Sequence, residues 1–466
     1  MKLKDWKHIY FIGIGGIGMS ALARYFHEKG YSVSGYDKVK TKLTEELTSE
    51  GISIIYKDSV EEIPESVCNT PNKSLVVYTP AIPEDNKIHN YFKEKQYLVI
   101  KRAKLLALVS EETHSLAVAG THGKTTTSSI LAHILNSSSQ GCNAFLGGIA
   151  NNYNSNIILN ESSNLSVLEA DEYDRSFLNL SPSMAIITSM DPDHLDIYSE
   201  KDEFQEGFIE FANKIKPDGI LIHHESLGEY FGDIDRRKVS YGISDGSDCQ
   251  GSNIRAKDGY FVFDVNYRAE NITGLNLILP GLHNVENALA AIAMSFELGV
   301  SVKEISSSIK SYTGVKRRFQ YQFKSEGKFY IDDYAHHPTE IEAVHHAARQ
   351  LFPGKKITCI FQPHLFSRTK DFMKDFANVL TKFDEIILLD IYPAREKPIP
   401  GITSKALLDM IPNANKSLFA KEVILDHIID KELEVLFTLG AGDIDTLVEP
   451  LSLGFAKKYR PINNRN

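Results

Sequence analysis

Cysteine and tryptophan are scarce in this chain of 466 residues, which contains four cysteines and one tryptophan. The cysteines are scattered, without the paired spacing of a zinc site or of a disulfide framework. They are Cys68, Cys142, Cys249 and Cys359. This usage is typical of a reducing compartment, so we expect a cytoplasmic protein with free thiols.

The sequence also lacks a long apolar run and an excess of positive charge. No stretch approaches the roughly 20 apolar residues of a membrane-spanning helix, so we expect no membrane partner. The formal net charge of −10 argues against nucleic acid as a partner, because phosphate backbones attract basic surfaces. The remaining composition, 42% hydrophobic and 24% charged, is that of an ordinary globular protein with roughly two to four domains.

The N-terminal stretch FIGIGGIGMSALARYFHEKGYSVSGYD has the layout of a dinucleotide-binding fold. An apolar strand precedes Gly13-x-Gly15-x-x-Gly18, and a helix follows whose amides and dipole suit a pyrophosphate. We expect Gly18 to let this helix pack close to the sheet. Asp37 ends the next strand, where it could accept hydrogen bonds from a ribose. The pattern indicates a phosphate-bearing nucleotide and leaves open whether that nucleotide is NAD.

The stretch SLAVAGTHGKTTTSSILAHIL contains a second phosphate-binding pattern. An apolar strand runs into a glycine-rich loop, and Lys124 and Thr125 begin the helix that follows. In such loops the lysine reaches the β- and γ-phosphates and the hydroxyl binds Mg²⁺. The loop is a shortened variant, because Val118 stands where the first glycine is usual and Gly120 takes that role. The pattern predicts binding of ATP or GTP.

Acidic residues follow the next two predicted strands, in LSVLEADEYD and MAIITSMDPDHLDIY. Carboxylates at the carboxyl end of a strand beside a phosphate loop commonly hold Mg²⁺. Glu169 is nearest to its strand and is the predicted ligand. His194 lies among aspartates and has two open interpretations. It is either a metal ligand or proton-transfer group, or a loop histidine that orients the acids, since Mg²⁺ prefers oxygen.

Two groups of polar residues farther along have open roles. His283, Asn284 and Asn287 begin an apolar helix, where Asn amides either read an adenine edge or cap the helix. Arg318, in VKRRFQ, either belongs to a solvated face or points its guanidinium at a phosphate across a domain boundary.

The last part of the chain continues to alternate strands and helices, with polar side chains after the strands. Because α/β proteins bind ligands at the carboxyl edge of the sheet, we expect these side chains to share one site. They are Asp333, His336, His337, His364 and Arg368. The alternation predicts an α/β protein of three domains. They are a Rossmann-like domain over residues 1–110, a central P-loop ATPase-type domain over 111–315 and a doubly wound C-terminal domain over 316–466.

The combination of motifs resembles the ATP-dependent Mur ligases of peptidoglycan synthesis, and among them the alanine-adding branch. The matching stretches follow the family order over nearly the whole chain: GIGGIGMS, AGTHGKTTT, EADEYDRSFL, MDPDHLDIY, LPGLHNVENALAA, GVKRRFQ, DDYAHHPTEI, FQPHLFSRT and LGAGDID. The resemblance implies that the first domain binds a UDP-sugar rather than NAD, that the second binds ATP and Mg²⁺, and that the third closes over both. One departure is Ser189, where many relatives have asparagine.

The resemblance also implies a reaction. The lactyl carboxylate of UDP-N-acetylmuramate attacks the γ-phosphate of ATP, and the amine of L-alanine then attacks the acyl phosphate. A ligase that attaches a ready-made tripeptide to the same UDP-sugar is the alternative, and a nicotinamide-dependent dehydrogenase is the alternative of another class. We expect a monomer or a weak homodimer.

The resemblance assigns roles to individual positions. The implied catalytic residues are Lys124, Glu169, His194 and Arg318, and the implied metal ligands are Thr125, Glu169 and His194. The implied nucleotide-binding residues are Gly120, Thr121, His122, Gly123, Lys124, Thr125, Thr126, His283, Asn284, Asn287 and Asp333. The implied substrate-binding residues are Gly13, Gly15, Gly16, Gly18, Asp37, Arg102, His337, His364 and Arg368.

Overall fold

The computed structural model describes residues 3–80, 82–191, 201–257, 260–394, 396–412 and 415–459. The chain forms two compact units. The first unit comprises Met1–Asn253, Phe263–Leu275 and Glu286–Thr313. The second unit comprises Ile254–Val262, Asn276–Val285 and Gly314–Asn466. The predicted position of His194 lies outside the described residues.

The first unit begins with a parallel sheet of five strands in the order β3-β2-β1-β4-β5. The strands are β1 (His8–Ile12), β2 (Ser32–Tyr36), β3 (Ser53–Ile55), β4 (Ser74–Tyr78) and β5 (Leu98–Lys101). The helices are α1 (Ile17–Glu28), α2 (Lys42–Ser49), α3 (Glu65–Cys68), α4 (Lys87–Glu94) and α5 (Arg102–Glu112). The strand order reverses between β1 and β4, which is where open α/β sheets bind ligands. The glycine-rich turn after β1 lies at this point.

A sheet of ten strands follows, in the order β15-β14-β13-β12-β11-β10-β6-β9-β7-β8. The strands are β6 (His114–Ala119), β7 (Asn143–Ala150), β8 (Ser155–Ile158), β9 (Leu165–Glu169), β10 (Met184–Ile187), β11 (Ile220–His224), β12 (Arg237–Gly242), β13 (Cys249–Lys257), β14 (Tyr260–Tyr267) and β15 (Glu270–Leu277). The helices are α6 (Lys124–Asn136), α7 (Lys201–Asn213), α8 (Leu282–Glu297) and α9 (Val302–Ser311). Strand β6 pairs in parallel with β9 on one side and β10 on the other. The phosphate-loop pattern and both acidic segments therefore leave the sheet at the same edge.

Within the first unit, helix α1 joins the five-stranded sheet to strands β7 and β8 of the ten-stranded sheet. The Arg24 guanidinium donates to Asn156 Oδ1 at 2.9 Å, and the Asn156 amide donates to Ser20 Oγ at 3.1 Å. The rings of Tyr25 and Phe145 pack 5.1 Å apart. One hydrophobic core contains side chains from both sheets, including Phe11 and Leu168. The glycine-rich turn after β1 and the phosphate-loop pattern after β6 therefore belong to one packed body.

The second unit contains a sheet of six strands in the order β16-β17-β21-β18-β19-β20, with β16 antiparallel to β17. The strands are β16 (Gln320–Ser325), β17 (Lys328–Asp333), β18 (Ile357–Phe361), β19 (Glu385–Leu388), β20 (Lys416–Leu418) and β21 (Val435–Leu439). The helices are α10 (Pro338–Leu351), α11 (Phe366–Asp371), α12 (Met373–Leu380), α13 (Ser404–Met410), α14 (Lys421–Ile429) and α15 (Val448–Lys458). Two separate hydrophobic cores draw on alternate residues of the same strands, such as Ile331 and Tyr330 of β17, so helices cover both faces. The predicted α/β class, with sheets of mostly parallel strands, is confirmed.

All four cysteines are free thiols, and three of them are buried. Burial raises the pKa of the Cys142 thiol to about 12, so this thiol stays protonated at neutral pH. Among the described residues, none of the helices combines the length and the apolar character needed to cross a membrane.

Candidate active site

The turn after β1 forms the first cradle. Gly13 has a φ of +84°, a conformation that favours glycine, and its N–H donates to Tyr36 O at 2.7 Å. The Gly15 N–H donates to Asp37 Oδ2 at 2.7 Å, and a side chain at Gly15 would approach that oxygen. The other Asp37 oxygen accepts from Val39 N at 3.0 Å. Asp37 therefore holds the shape of the turn, and its predicted contact with a ribose stays a prediction.

The space beside Gly18 is filled by an arginine that the sequence pattern did not connect with it. A Cβ on Gly18 would collide with Arg102 Nη1, so the guanidinium packs directly on the first turn of α1. Arg102 begins α5, and its Nη2 lies 3.5 Å from Asp171 Oδ2. One guanidinium thus touches the first cradle and the acidic segment that follows β9.

The loop between β6 and α6 forms the second cradle. Gly120 and Gly123 have φ values of +133° and +83°. A Cβ on Gly120 would collide with Thr188 Oγ1, and one on Gly123 with Asn287 Oδ1. Ser189 Oγ accepts from His122 N at 2.9 Å. Thr188 and Ser189, which follow β10, therefore contact the loop and hold its shape.

Lys124, at the first position of α6, forms a buried ion pair. Its Nζ donates to Glu172 at 2.8 and 2.6 Å and to Gly120 O at 2.6 Å. Glu172 is 1% exposed. Burial alone would lower the pKa of Lys124, but the charges of Glu172, Asp171 and Glu169 outweigh it and raise that pKa. Lys124 is therefore a cation, and Glu172 is its partner, a role that the sequence did not reveal.

Thr125 and Glu169 lie together at the same helix terminus. Thr125 Oγ1 donates to Glu169 Oε2 at 3.1 Å, and Ser128 Oγ donates to Glu169 Oε1 at 3.1 Å. Burial raises the pKa of Glu169, because little water is present to solvate its charge. A hydroxyl and a carboxylate oxygen are the ligands that Mg²⁺ prefers, so these two side chains fit that ion. Within the described ranges, no cluster of three or more His, Cys, Asp or Glu side chains has metal-binding geometry.

The predicted adenine-binding residues His283, Asn284 and Asn287 all lie near the start of α8. Asn287 Oδ1 accepts from Thr127 Oγ1 at 3.1 Å and lies against Gly123, so it forms part of the wall of the second cradle. Asn284 Nδ2 donates to Pro280 O at 2.7 Å. The His283 ring lies against Gly281, where a Cβ would collide with it.

The arginines of VKRRFQ lie at the carboxyl edge of the second unit's sheet. Arg317 donates from Nε to Asp332 Oδ2 at 2.9 Å and from Nη2 to Gly440 O at 2.7 Å. Arg318 Nη1 lies 4.0 Å from Glu340 Oε1. Both guanidiniums lie over the ring of Tyr334, at 5.4 and 5.3 Å. Arg317 therefore has a structural role, whereas 30% of the Arg318 side chain is exposed to solvent.

Asp333 binds the backbone around Arg318. Its carboxylate accepts from Phe319 N at 2.6 Å and from Ala335 N at 2.7 Å. Burial raises its pKa to about 6, against the opposing charge of Arg318. This carboxylate fixes the loop that carries Arg318, and its predicted contact with ATP or with another domain stays a prediction.

A cluster of histidines and an arginine lies beside Glu340. His337 caps α10, and Glu340 Oε2 accepts from the backbone N–H of His336 at 2.9 Å. Burial lowers the pKa of His336 to about 4, so its ring is neutral at pH 7. Arg368 Nη1 lies 3.3 Å from His364 Nδ1, and the rings of His336 and His364 are 5.9 Å apart. The spacing of His337 and Glu340 is that of a capping box, a signal from which Glu340 could have been predicted.

Comparison with known families accounts for most of the chain. Residues 8–114 match the Mur ligase family catalytic domain, residues 118–295 the Mur ligase middle domain, and residues 317–441 the Mur ligase glutamate ligase domain. The chain belongs to the Mur ligase family.

Similar proteins point to one branch of that family. The UDP-N-acetylmuramate–L-alanine ligase of Christiangramia forsetii is 50% identical, with 96% of this chain and 97% of that protein aligned. The enzyme of the same name from Cytophaga hutchinsonii is 46% identical, with 99% and 100% aligned. The crystal structure of UDP-N-acetylmuramate-alanine ligase from Thermotoga maritima superimposes with a TM-score of 0.80 at 27% identity, covering 97% of this chain and 100% of that one. The predicted resemblance to the alanine-adding branch is confirmed.

Proposed function

We propose that this chain is an ATP-dependent ligase that joins L-alanine to the lactyl carboxylate of UDP-N-acetylmuramate through an acyl phosphate, with release of ADP and phosphate. The observation that carries the proposal is the meeting of Lys124 with Thr125 and Glu169 at the start of α6. A lysine beside a hydroxyl and a carboxylate at a helix N-terminus is the arrangement that binds the γ-phosphate of ATP together with Mg²⁺. It lies in the same compact unit as the cradle proposed for the UDP-sugar.

The first step brings a carboxylate to a triphosphate, and like charges oppose that approach. Lys124 is a cation in the structure, and the amides at the N-terminus of α6 add a partial positive charge. Mg²⁺ bound at Thr125 and Glu169 would further neutralise the phosphate oxygens. For Lys124 to reach the γ-phosphate, its bonds to Glu172 have to be exchanged for bonds to phosphate. The protein therefore holds the ammonium ready in a charged environment before ATP arrives.

The second step needs an amino acid oriented by its carboxylate, with its amine free to attack. We infer that Arg368 binds the carboxylate of L-alanine, because a guanidinium pairs with a carboxylate through two parallel hydrogen bonds. The neutral ring of His336 adds no cation that would repel the amine before it loses its proton. Arg318 is placed to bind an anionic group at the edge of the sheet.

Cellular location and assembly are parts of the same proposal. The cytoplasm keeps thiols reduced and contains ATP, so the free cysteines and the proposed use of ATP favour a cytoplasmic location. A monomer or weak homodimer stays a prediction.

The test measures phosphate release from ATP in the presence of Mg²⁺ and UDP-N-acetylmuramate. Three reactions are compared: one with L-alanine, one with the tripeptide L-Ala-γ-D-Glu-diaminopimelate and one with no amine. Release with L-alanine, together with a product heavier by one alanyl residue, is the expected result. Release with the tripeptide alone would identify the recycling alternative instead. Tight retention of NADH without any phosphate release would favour the dehydrogenase.

A further inference from the structure

Arg102 lies between the two cradles of the first unit. Its guanidinium packs on Gly18, at the first turn of the helix whose N-terminus faces the first cradle. Its Nη2 is 3.5 Å from Asp171 Oδ2. The Arg102 and Asp171 side chains are 28% and 42% exposed, so solvent and an incoming ligand can reach both.

The Asp171 side of this contact belongs to the second cradle. Asp171 directly precedes Glu172, which holds Lys124 through both carboxylate oxygens. The backbone carbonyl of Asp171 accepts from Phe177 N at 2.9 Å and from Ser176 Oγ at 3.0 Å. The acidic segment is therefore an ordered structure, and Arg102 pairs with one of its charged side chains.

We propose that Arg102 is a shared positioning residue, for which the carboxylate of Asp171 and the diphosphate of a nucleotide in the first cradle compete. This inference rests on the proposed function, which places UDP in that cradle. A guanidinium that is ion-paired with Asp171 has fewer N–H groups directed at a phosphate beside Gly18, and each partner is an anion that favours its own geometry. Asp171 therefore weakens binding of the diphosphate.

This competition makes the electrostatic environment of the acidic segment depend on whether a diphosphate occupies the first cradle. Because binding linkage is reciprocal, a diphosphate that draws the guanidinium away leaves Asp171 with less neutralisation. The residue next to it holds Lys124, so occupancy of the first cradle changes the electrostatic surroundings of the ATP-binding lysine. The two proposed nucleotide sites are thus coupled through three side chains: Arg102, Asp171 and Glu172.

The test is the affinity of the full-length protein for UDP, measured by calorimetry in the presence of a chelator, so that neither metal nor ATP contributes. Asp171→Asn should tighten UDP binding about two- to five-fold, the range expected for loss of a partly exposed ion pair. Arg102→Ala should weaken UDP binding. In the Arg102→Ala background, Asp171→Asn should leave the affinity unchanged, because the shared guanidinium is gone. Arg102→Lys keeps the charge and serves as a second variant if Arg102→Ala does not fold.

The outcomes distinguish failure of the proposed competition for Arg102 from failure of the proposed binding of UDP. An Asp171→Asn variant with the affinity of the wild type would overturn the competition. Equal tightening with and without Arg102 would overturn it too, because general repulsion between Asp171 and the diphosphate would then be sufficient. Failure of the wild-type protein to bind UDP at all would instead contradict the proposed function.

Discussion

The Nζ of Lys124 donates to both carboxylate oxygens of Glu172, at 2.8 and 2.6 Å, and both side chains are shielded from solvent. Two charges removed from water in this way stabilise a fold only as a pair. The triphosphate that the lysine is proposed to bind has to replace Glu172. The ion pair therefore has two functions that mutation can separate, since stability depends on charge balance and turnover depends on the ammonium.

Lys124→Ala should abolish phosphate release and should also destabilise the protein. The substitution leaves the Glu172 carboxylate buried without its ammonium, which costs about 3–5 kcal/mol for a buried pair. Adding Glu172→Ala should recover much of the unfolding free energy and none of the turnover. Urea unfolding and the phosphate assay, run on both variants, check this. UDP-sugar binding should persist in the single variant, and its loss from a folded protein would contradict the division of labour between the cradles.

Gly123→Ala should remove ATP binding by distorting the second cradle. A Cβ at this position collides with Asn287 Oδ1, and the φ of +83° is unfavourable for alanine. Gly299→Ala is the matched control, because Gly299 has a φ of +78° and open space around it. Both variants should lose about 1 kcal/mol of stability from the backbone strain. Only Gly123→Ala should lose affinity for ATP in calorimetry, and equal losses would mean that strain alone explains the effect.

The contrast between Glu169 and Glu172 shows what the sequence could and could not predict. A strand, a glycine-rich loop and a helix are local patterns that can be predicted from periodicity. The proximity of Thr125 and Glu169 then follows from the parallel pairing of β6 with β9. Which of several nearby carboxylates turns towards Lys124 depends on rotamers in the packed core. The contact of Arg102 with Gly18 and Asp171 depends on how two sheets pack together, which no local pattern contains.

Glu169→Gln should raise the Mg²⁺ concentration needed for phosphate release and lower the maximal rate by about 10²-fold. The amide keeps only one of the two oxygens that accept from Thr125 and Ser128, and it loses the charge that a divalent cation requires. Mg²⁺ titrations of activity measure both effects. Glu161→Gln changes an exposed glutamate in a turn and should leave the titration unchanged. A Glu169→Gln enzyme with wild-type Mg²⁺ dependence would remove this residue from the proposed metal site.

Asp333 should make the stability of the protein fall as pH rises through about 6. Its folded pKa is raised to about 6, above the ordinary value of 3.8, because the buried carboxyl is easier to keep protonated than to ionise. The resulting stability is fully present below about pH 4 and is lost as pH rises through the folded pKa, in total about 3 kcal/mol. Asp333→Asn cannot ionise, so its thermal midpoint relative to wild type should improve between pH 4 and pH 7. A constant difference over that range would mean that Asp333 is ionised throughout.

Arg368→Lys should raise the KM for L-alanine more than tenfold and leave the KM for ATP within about twofold. Lysine keeps the positive charge but lacks the planar pair of donors that matches a carboxylate, so the substitution isolates geometry from charge. Arg368 is 9% exposed and lies beside His364, so the guanidinium is held in one orientation before the amino acid binds. Arg349→Lys is the matched control in the same unit, because Arg349 pairs with Asp384 at 2.9 Å and has no proposed contact with substrate. Steady-state kinetics with each substrate varied in turn decide the assignment. If the KM for ATP rises instead, Arg368 belongs to the nucleotide site, and the carboxylate of the amino acid has to be bound by other residues.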